Sequence, residues 1–183
     1  MKPVRRSDLV SYVTWTEQRS RELKDILDAK RRRRVSIGDA LTLMFENRDT
    51  VRWQVQEMMR IEQMMSDTEI DHELATYNEL LGGAGELGAT LMVEIDDPEE
   101  RARRLAKWRE LPGHIFLKLE DGTKAYASFD PRQVGEDRLS AVQFLKFKTA
   151  GMVPVSAGVD LPDLQLEVRL TEEQQDALRA DLR

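Results

Sequence analysis

The stretch IFLKLEDGTKAYASF, residues 115–129, decides the fold. Apolar residues recur at every second position of its first half, which is the period of a strand with one buried face. Asp121 and Gly122 follow, and both residue types tolerate the positive φ values of a type I′ turn. A second strand-like run then leads back. The sequence therefore predicts a β-hairpin, and with it an antiparallel sheet.

Other segments have the same two-residue period or are rich in strand-forming residues. They cover residues 91–95, 139–148 and 164–170. A short strand is also predicted over 41–46, whereas Gly, Pro and Ser residues predict a loop over 151–162. Together these elements predict an α+β fold. Its helical N-terminal half packs on a mainly antiparallel sheet of about four to five strands.

The N-terminal half has the three-and-four spacing of amphipathic helices. Helices are predicted from Ser7 to Arg33, over 48–65, and from Asp67 or Thr68 to Leu81. Ser7 is the expected N-cap of the first helix and Asn47 that of the second, because their side-chain oxygens can accept unpaired N–H groups of a first turn. Residues 1–183 are expected to form a single domain, mainly helical over 1–81 and mainly strand over 88–183.

The chain has 183 residues, a formal net charge of −6 and no cysteine. Without cysteine there is no disulfide framework, no cysteine-based metal centre and no thiol nucleophile, so a reducing, cytoplasmic compartment is expected. No apolar run is long enough for a membrane span or a signal peptide, and we expect no membrane association.

Charge is unevenly distributed along the chain. Residues 1–36 are basic and residues 37–100 are strongly acidic. Such segregation can steer a charged partner, or the two segments can neutralise each other within the fold. We predict that the basic arm packs on the acidic helical region, because a helix gains most of its stability by burying an apolar face such as the one that carries Trp15.

Four consecutive arginines end the predicted first helix. Arg31, Arg32, Arg33 and Arg34 are candidate interaction residues, because basic clusters contact phosphates in nucleic-acid-binding proteins. The chain is acidic overall and no aromatic residues interleave with the run. Nucleic-acid binding is therefore the weaker alternative, and a solvated helix end is the simpler interpretation.

One spacing resembles a metal-binding motif. Glu69 and His72 form a Glu-x-x-His, which di-iron carboxylate bundles use in two copies together with further glutamates. This chain has one copy, so Glu57 and Glu62 would have to add carboxylates and a symmetric dimer the second copy. These four residues are the candidate metal ligands; exposed helical charge is the competing interpretation.

Glu62 also falls on the apolar stripe predicted for the second helix, formed by Val51, Val55, Met58 and Met65. A carboxylate there requires a partner if it is buried. We predict that Glu62 faces inward and pairs with an arginine of the first helix, while Glu57, five residues earlier, faces another neighbour.

Motifs of established chemistry are missing. The sequence has no glycine-rich phosphate loop and no nucleophile elbow. No catalytic residue can be named and no cofactor is predicted, although a metal ion stays open as an alternative.

The stretch LTLMFENRDTVRWQVQEMMRIE, residues 41–62, resembles the core of a bacterial family known as a domain of unknown function. That family has a Phe-Glu-Asn-x-x-Thr box followed by Gln-x-x-Glu-Met and a later Glu. The matching residues are Phe45, Glu46, Asn47, Thr50, Gln54, Glu57, Met58 and Glu62. The region of Lys30 and Arg33 is similar too.

This resemblance implies a cellular setting and no activity. Members of the family are often encoded beside rubrerythrin-like proteins and iron–sulfur proteins, which indicates a redox or peroxide-stress context. We therefore expect a non-enzymatic accessory or interaction protein whose partner is a rubrerythrin-like or iron–sulfur protein; homo-oligomers are compatible with the sequence. The alternative is a small metal-binding protein or enzyme that uses the carboxylates of the central helices.

Overall fold

The computed structural model describes all residues, 1–183, and contains eight strands and six α-helices. In chain order the elements are α1 (Tyr12–Arg31), β1 (Arg34–Ile37), β2 (Leu41–Glu46), α2 (Arg48–Ile61), α3 (Asp67–Asn78), β3 (Glu86–Val93), α4 (Pro98–Lys107), α5 (Leu111–His114), β4 (Ile115–Leu119), β5 (Lys124–Ser128), β6 (Val142–Lys148), β7 (Pro154–Leu161), β8 (Leu164–Arg169) and α6 (Glu172–Asp181).

All eight strands form one antiparallel sheet in the order β1-β2-β3-β6-β5-β4-β7-β8. The terminal strand β1 also contacts β7 and β8, so the sheet curls into a nearly closed barrel. The prediction of about four to five strands was therefore wrong. β1 lies in the stretch between the predicted first helix and the 41–46 strand, and β7 occupies the predicted loop over 151–162.

The predicted hairpin is confirmed as β4 and β5, but its turn is not type I′. Gly122 has a φ of 87°, whereas Asp121 has no positive φ. The Gly122 N–H donates to the Leu119 carbonyl at 2.9 Å, and the Leu119 N–H donates to the Thr123 carbonyl at 2.8 Å. This pattern is a type I turn followed by a glycine bulge, the three-residue alternative to the two-residue turn.

The barrel interior is a packed apolar core and not a channel. A cluster of 24 buried residues fills it, with contributions from every strand of the sheet but β8 and from α4, α5 and α6. Phe45 of β2 and Phe147 of β6 meet near its middle, with ring centroids 6.4 Å apart. Binding sites must therefore lie on the outside of the barrel.

Helices α1 to α3 cover one outer side of the barrel, and α1, the helix of the basic arm, packs on α2 of the acidic region as predicted. Trp15 of α1 is fully buried against Trp53 of α2, with ring centroids 5.0 Å apart. The helix begins later than predicted, because Ser11 and not Ser7 is its N-cap. Before it, the Val10 N–H donates to Gln56 Oε1 of α2 at 2.7 Å, which holds this residue outside the helix.

Candidate functional site

A cavity of about 380 Å³ lies between the helical layer and the outer face of the sheet. We call it the box cavity, because three residues of the Phe-Glu-Asn-x-x-Thr…Gln stretch line it. Its walls come from α1 and β1, from β2, β3 and β6, from α2, and from the end of α3. The lining residues are Lys30, Arg34, Met44, Glu46, Thr50, Val51, Gln54, Tyr77, Leu80, Thr90, Met92 and Phe144.

Glu46 is fixed in the wall of this cavity by the junction of β2 and α2. Asn47 caps α2 as predicted, since its Oδ1 accepts the Thr50 N–H at 2.9 Å. Thr50 returns the contact by accepting the Asn47 N–H at 2.9 Å, and its hydroxyl donates to Glu46 Oε2 at 2.6 Å. Thr90 of β3 donates to Glu46 Oε1 at 3.0 Å. Both carboxylate oxygens therefore have a fixed direction.

Four other polar side chains of the box cavity differ in whether they are free to bind a ligand. Arg34 is engaged, since its Nη2 donates to both carboxylate oxygens of Glu94, at 2.7 and 2.9 Å. The pKa of Glu94 lies below its usual range because the Thr42 hydroxyl and the Arg34 guanidinium hydrogen-bond to the carboxylate. The Lys30 ammonium and the Gln54 amide contact no protein partner in this way. Together with the Tyr77 hydroxyl, which also has no hydrogen-bond partner in the protein, they are free to meet a ligand.

A second cavity of about 420 Å³ adjoins the box cavity. Leu80 and Phe144 line both, so the two cavities form one depression, which we call the groove. Phe144 projects from the outer face of β6 and is 43% exposed. The far end of the groove is lined by Lys146 and by Phe129, beyond the end of β5.

The predicted metal ligands do not come together. Glu62 follows the last residue of α2, and Glu69 and His72 lie on exposed positions of α3. Glu57 points toward α1 instead. No group of three or more His, Asp or Glu side chains is positioned to hold a metal ion. The metal-binding alternative therefore has no assembled ligand set in this structure.

Glu57, and not Glu62, is the inward carboxylate of α2. Its oxygens accept from Arg19 Nε at 2.8 and 2.9 Å and from Trp15 Nε1 at 2.8 Å. Burial acts to raise the pKa of Glu57, but the hydrogen bonds from Arg19, Trp15 and Arg60 outweigh it and hold that pKa below its usual range.

The error for Glu62 lies in the phase of the helical stripe. The buried positions of α2 include Val51, Val55 and Met59, whereas Met65 is 80% exposed beyond the helix. Gln63 adopts a positive φ of 50°, which ends the helix well before the predicted residue 65.

Each arginine of the basic run has an acidic partner within the chain. Arg33 is buried and pairs with Asp181, whereas the other three form more exposed ion pairs. Those pairs are Arg31 with Asp28 and Glu173, Arg32 with Asp28, and Arg34 with Glu94. The run therefore holds the fold together and presents no unpaired cluster for phosphates.

Sequence reasoning did not find Phe144 or Thr90 as site residues. Both were placed in predicted strands or beside them, but nothing indicated that β6 lies next to β3. The two-residue alternation of β6, which directs Leu145 and Phe147 inward, was the one available signal that Phe144 faces outward.

The architecture defines the class: an eight-stranded, nearly closed antiparallel barrel with helices on its outside and no assembled catalytic or metal centre in the groove. The chain belongs to the family described as protein of unknown function (DUF3501), whose model matches residues 3–182. A crystal structure of a protein of unknown function from Burkholderia pseudomallei K96243 is similar, with 29% sequence identity, a TM-score of 0.90 and complete coverage of both chains. No curated protein matches. None of the six α-helices combines the length and the hydrophobicity that a membrane span requires.

Proposed function

We propose that this protein is an accessory protein of a cytoplasmic redox or peroxide-stress system, and that the groove binds a short segment of its protein partner. The observation that carries the proposal is the position of Phe144. A solvent-exposed aromatic side chain lies midway along a groove whose one end is built from the residues that carry the family resemblance. Exposed aromatic residues of this kind are typical anchors of protein interfaces.

The length of the groove suits an extended peptide. It crosses the outer face of β2, β3 and β6 and reaches the end of β5, which are consecutive neighbours in the sheet. At about 4.8 Å between strands, this path is about 14 Å long, and it accommodates about four residues at about 3.3 Å each. The bound segment would run across the strands and would not add a strand to the sheet.

The chemistry of the lining indicates what this segment carries. Met44, Met92 and Phe144 supply an adaptable apolar floor, which suits one or two apolar side chains. Lys30 can meet a carboxylate of the partner, and the Gln54 amide can bond to its peptide backbone. A segment with an acidic residue beside an apolar one meets both requirements.

The nature of the partner rests on the family resemblance. Rubrerythrin-like and iron–sulfur proteins are the expected partners, and a cysteine-free chain suits a reducing cytoplasm. The chain has no cysteine, and the role proposed for the groove is binding.

The test is a calorimetric titration of the purified protein with the rubrerythrin-like protein of the same bacterium, and separately with its iron–sulfur neighbour. Phe144→Ser should weaken the interaction more than tenfold, because loss of an interface anchor removes a large share of the binding energy. Val13→Ser is the matched control, since Val13 is 54% exposed on α1, outside the groove. Equal binding by the wild type and Phe144→Ser, or no binding of either partner by the wild type, would overturn the proposal.

A further inference from the structure

A second cluster of polar side chains lies on the outside of the barrel and comes from α5, β5 and β7. Asp160 of β7 is its centre. His114 Nδ1 lies 3.2 Å from Asp160 Oδ1, while the Tyr126 hydroxyl and the Lys124 ammonium donate to Oδ2 at 2.6 and 3.2 Å. Three elements of the fold thus converge on one carboxylate, and none of these side chains lines the groove.

These contacts give Asp160 a positioning role. Its two oxygens already have three partners, and the Tyr126 hydrogen bond is the main reason why the pKa of Asp160 lies below its usual range. A carboxylate that stays ionised beside Nδ1 favours the imidazole tautomer with its proton on Nδ1. The other ring nitrogen of His114, Nε2, is then the proton acceptor, and it has no hydrogen-bond partner in the protein.

His114 also lines a cavity of about 520 Å³. The remaining lining residues are Arg109, Glu110, Gly113, Phe129, Pro131 and Val134. Arg109 forms no ion pair, so its guanidinium is available to an anion, and Phe129 and Val134 provide an apolar wall. The cavity opens widely to solvent, so a ligand can enter it directly.

We propose that this cavity is a general-base site, in which His114 Nε2 removes a proton from water so that the water hydrolyses an ester that carries a carboxylate. This site is separate from the partner-binding role proposed for the groove, and the proposal assigns no chemical reaction to the groove. The cavity combines an oriented imidazole, a free cation and an apolar wall, which are the parts that such a substrate requires.

Water is the nucleophile in this proposal because the cavity offers no hydroxyl, thiol or amine, and the Glu110 carboxylate is given no part in the reaction. Its lining includes no Ser, Thr, Lys or Cys side chain. In the reaction a water O–H bond breaks, its proton passes to Nε2, and the resulting hydroxide adds to the ester carbonyl carbon. The carbonyl then re-forms as the C–O bond to the leaving alcohol breaks. The Nε2 proton passes to the departing alkoxide, which leaves an acid and an alcohol and regenerates the base.

Arg109 defines the class of substrate. A guanidinium binds a carboxylate through two parallel hydrogen bonds, so an ester with a carboxylate on its apolar part is held more firmly than a neutral one. An aromatic carboxylate ester fits both Arg109 and the wall formed by Phe129.

The probe is 4-acetoxy-3-nitrobenzoate, an anionic ester whose hydrolysis releases a yellow phenolate, compared with neutral 4-nitrophenyl acetate. The wild type should hydrolyse the anionic ester with saturation kinetics. His114→Gln should lower kcat/KM at least about tenfold, since general-base catalysis commonly contributes about a hundredfold or more. Arg109→Gln should raise KM for the anionic ester and leave the neutral ester unaffected.

His72 is the natural control, because the chain has only two histidines and His72 is exposed on α3. His72→Gln should hydrolyse the ester like the wild type. Equal losses in His72→Gln and His114→Gln, or an unchanged rate in His114→Gln, would overturn the proposal, because the reaction would then come from surface imidazoles or from the buffer.

Asp160→Asn separates positioning from folding. It should lower kcat and leave KM nearly unchanged, and the nitrogen-15 spectrum should show that His114 loses its preference for the Nδ1–H tautomer. With two imidazoles in the chain, the assignment follows from the His72→Gln spectrum. A tautomer preference and a kcat that both stay unchanged in Asp160→Asn would contradict the role given to Asp160.

Discussion

Arg33 and Asp181 form a bidentate ion pair that joins the residue just before β1 to the C-terminal helix, α6. Arg33 Nε and Nη2 donate to the two Asp181 oxygens at 2.7 and 2.9 Å, and both side chains are less than 10% exposed. Asn47 Nδ2 also donates to Asp181 Oδ1 at 3.3 Å. Nearby, the Gln174 amide donates to the Arg34 carbonyl at 2.7 Å. Helix α6 thus holds β1 in place. β1 and β8 are the two terminal strands of the sheet, and no backbone hydrogen bonds close the barrel between them.

Removal of one partner of this pair should destabilise the protein strongly. Asp181→Asn leaves the Arg33 guanidinium buried without a counter-charge, which costs about 3 kcal/mol in the free energy of unfolding. Urea denaturation measures this loss of stability. Arg33→Met combined with Asp181→Leu should be less destabilising than Asp181→Asn alone, because no charge remains buried. If the double variant were less stable than Asp181→Asn, the ion pair itself would stabilise the fold.

Glu57 and Glu62 should respond differently to the same substitution. Glu57→Gln weakens hydrogen bonds to Arg19 and Trp15 and should cost about 2 kcal/mol, the usual contribution of hydrogen bonds to a charged group. Glu62→Gln should change the stability by less than about 0.5 kcal/mol, as is usual at an exposed position. Thermal melting of the two variants compares them directly. Equal effects would mean that the carboxylate of Glu57 is not specifically held.

The stability contribution of Glu57 should depend on pH in a defined direction. Its pKa is lower in the folded than in the unfolded protein, so the contribution is fully present above the unfolded value of about 4.3 and is lost as the pH falls through the folded value. Below about pH 4.3 the melting temperature of the wild type should therefore fall more steeply than that of Glu57→Gln. Parallel curves for the two proteins would contradict this assignment.

The hairpin turn should reject a β-branched residue. Gly122 has a φ of 87°, where a Val side chain clashes with the backbone, so Gly122→Val should cost about 2 kcal/mol. Gly122→Asn is the matched variant, because Asn tolerates the left-handed region. Equal melting temperatures of the two variants would show that the bulge can rearrange.

Sequence periodicity predicted β8 because apolar and polar residues alternate along this exposed strand, and the Asp121-Gly122 turn marked the hairpin although β4 is mostly buried. Periodicity failed for β7, which lies between β4 and β8 and is buried along most of its length. A strand without an exposed face has no alternation to detect. Gly158 added to the error: a side chain there would come within 2.6 Å of the Phe116 ring, so glycine marks close packing and not a loop.

The candidate sites were less predictable than the fold. Glu46, Thr50 and Gln54 were singled out through the family resemblance, and they do line one cavity. Phe144 joins them only because the sheet order places β6 beside β3. His114 and Asp160 are 46 residues apart and meet through the pairing of β4 with β7, which no local pattern encodes.

The contact between β3 and the turn that follows α3 controls the shape of the groove. A Cβ atom at Gly88 would lie 1.8 Å from the carbonyl oxygen of Leu80, and Leu80 lines both cavities. Because the backbone there cannot yield as a flexible side chain would, Gly88→Ala should displace Leu80 and destabilise the protein by about 3 kcal/mol. Gly83 provides the control in the same turn, since its Cβ would meet only the end of the Glu86 side chain, at 3.0 Å.

Urea denaturation and partner titration together test this relationship. Gly83→Ala should unfold and bind like the wild type, whereas Gly88→Ala should be less stable and, under conditions where it is still folded, bind the partner more weakly. Loss of stability with unchanged binding would show that Leu80 does not shape the bound groove. If Gly88→Ala were as stable as the wild type, the Leu80 carbonyl oxygen would have to lie farther from residue 88 than it does in this structure.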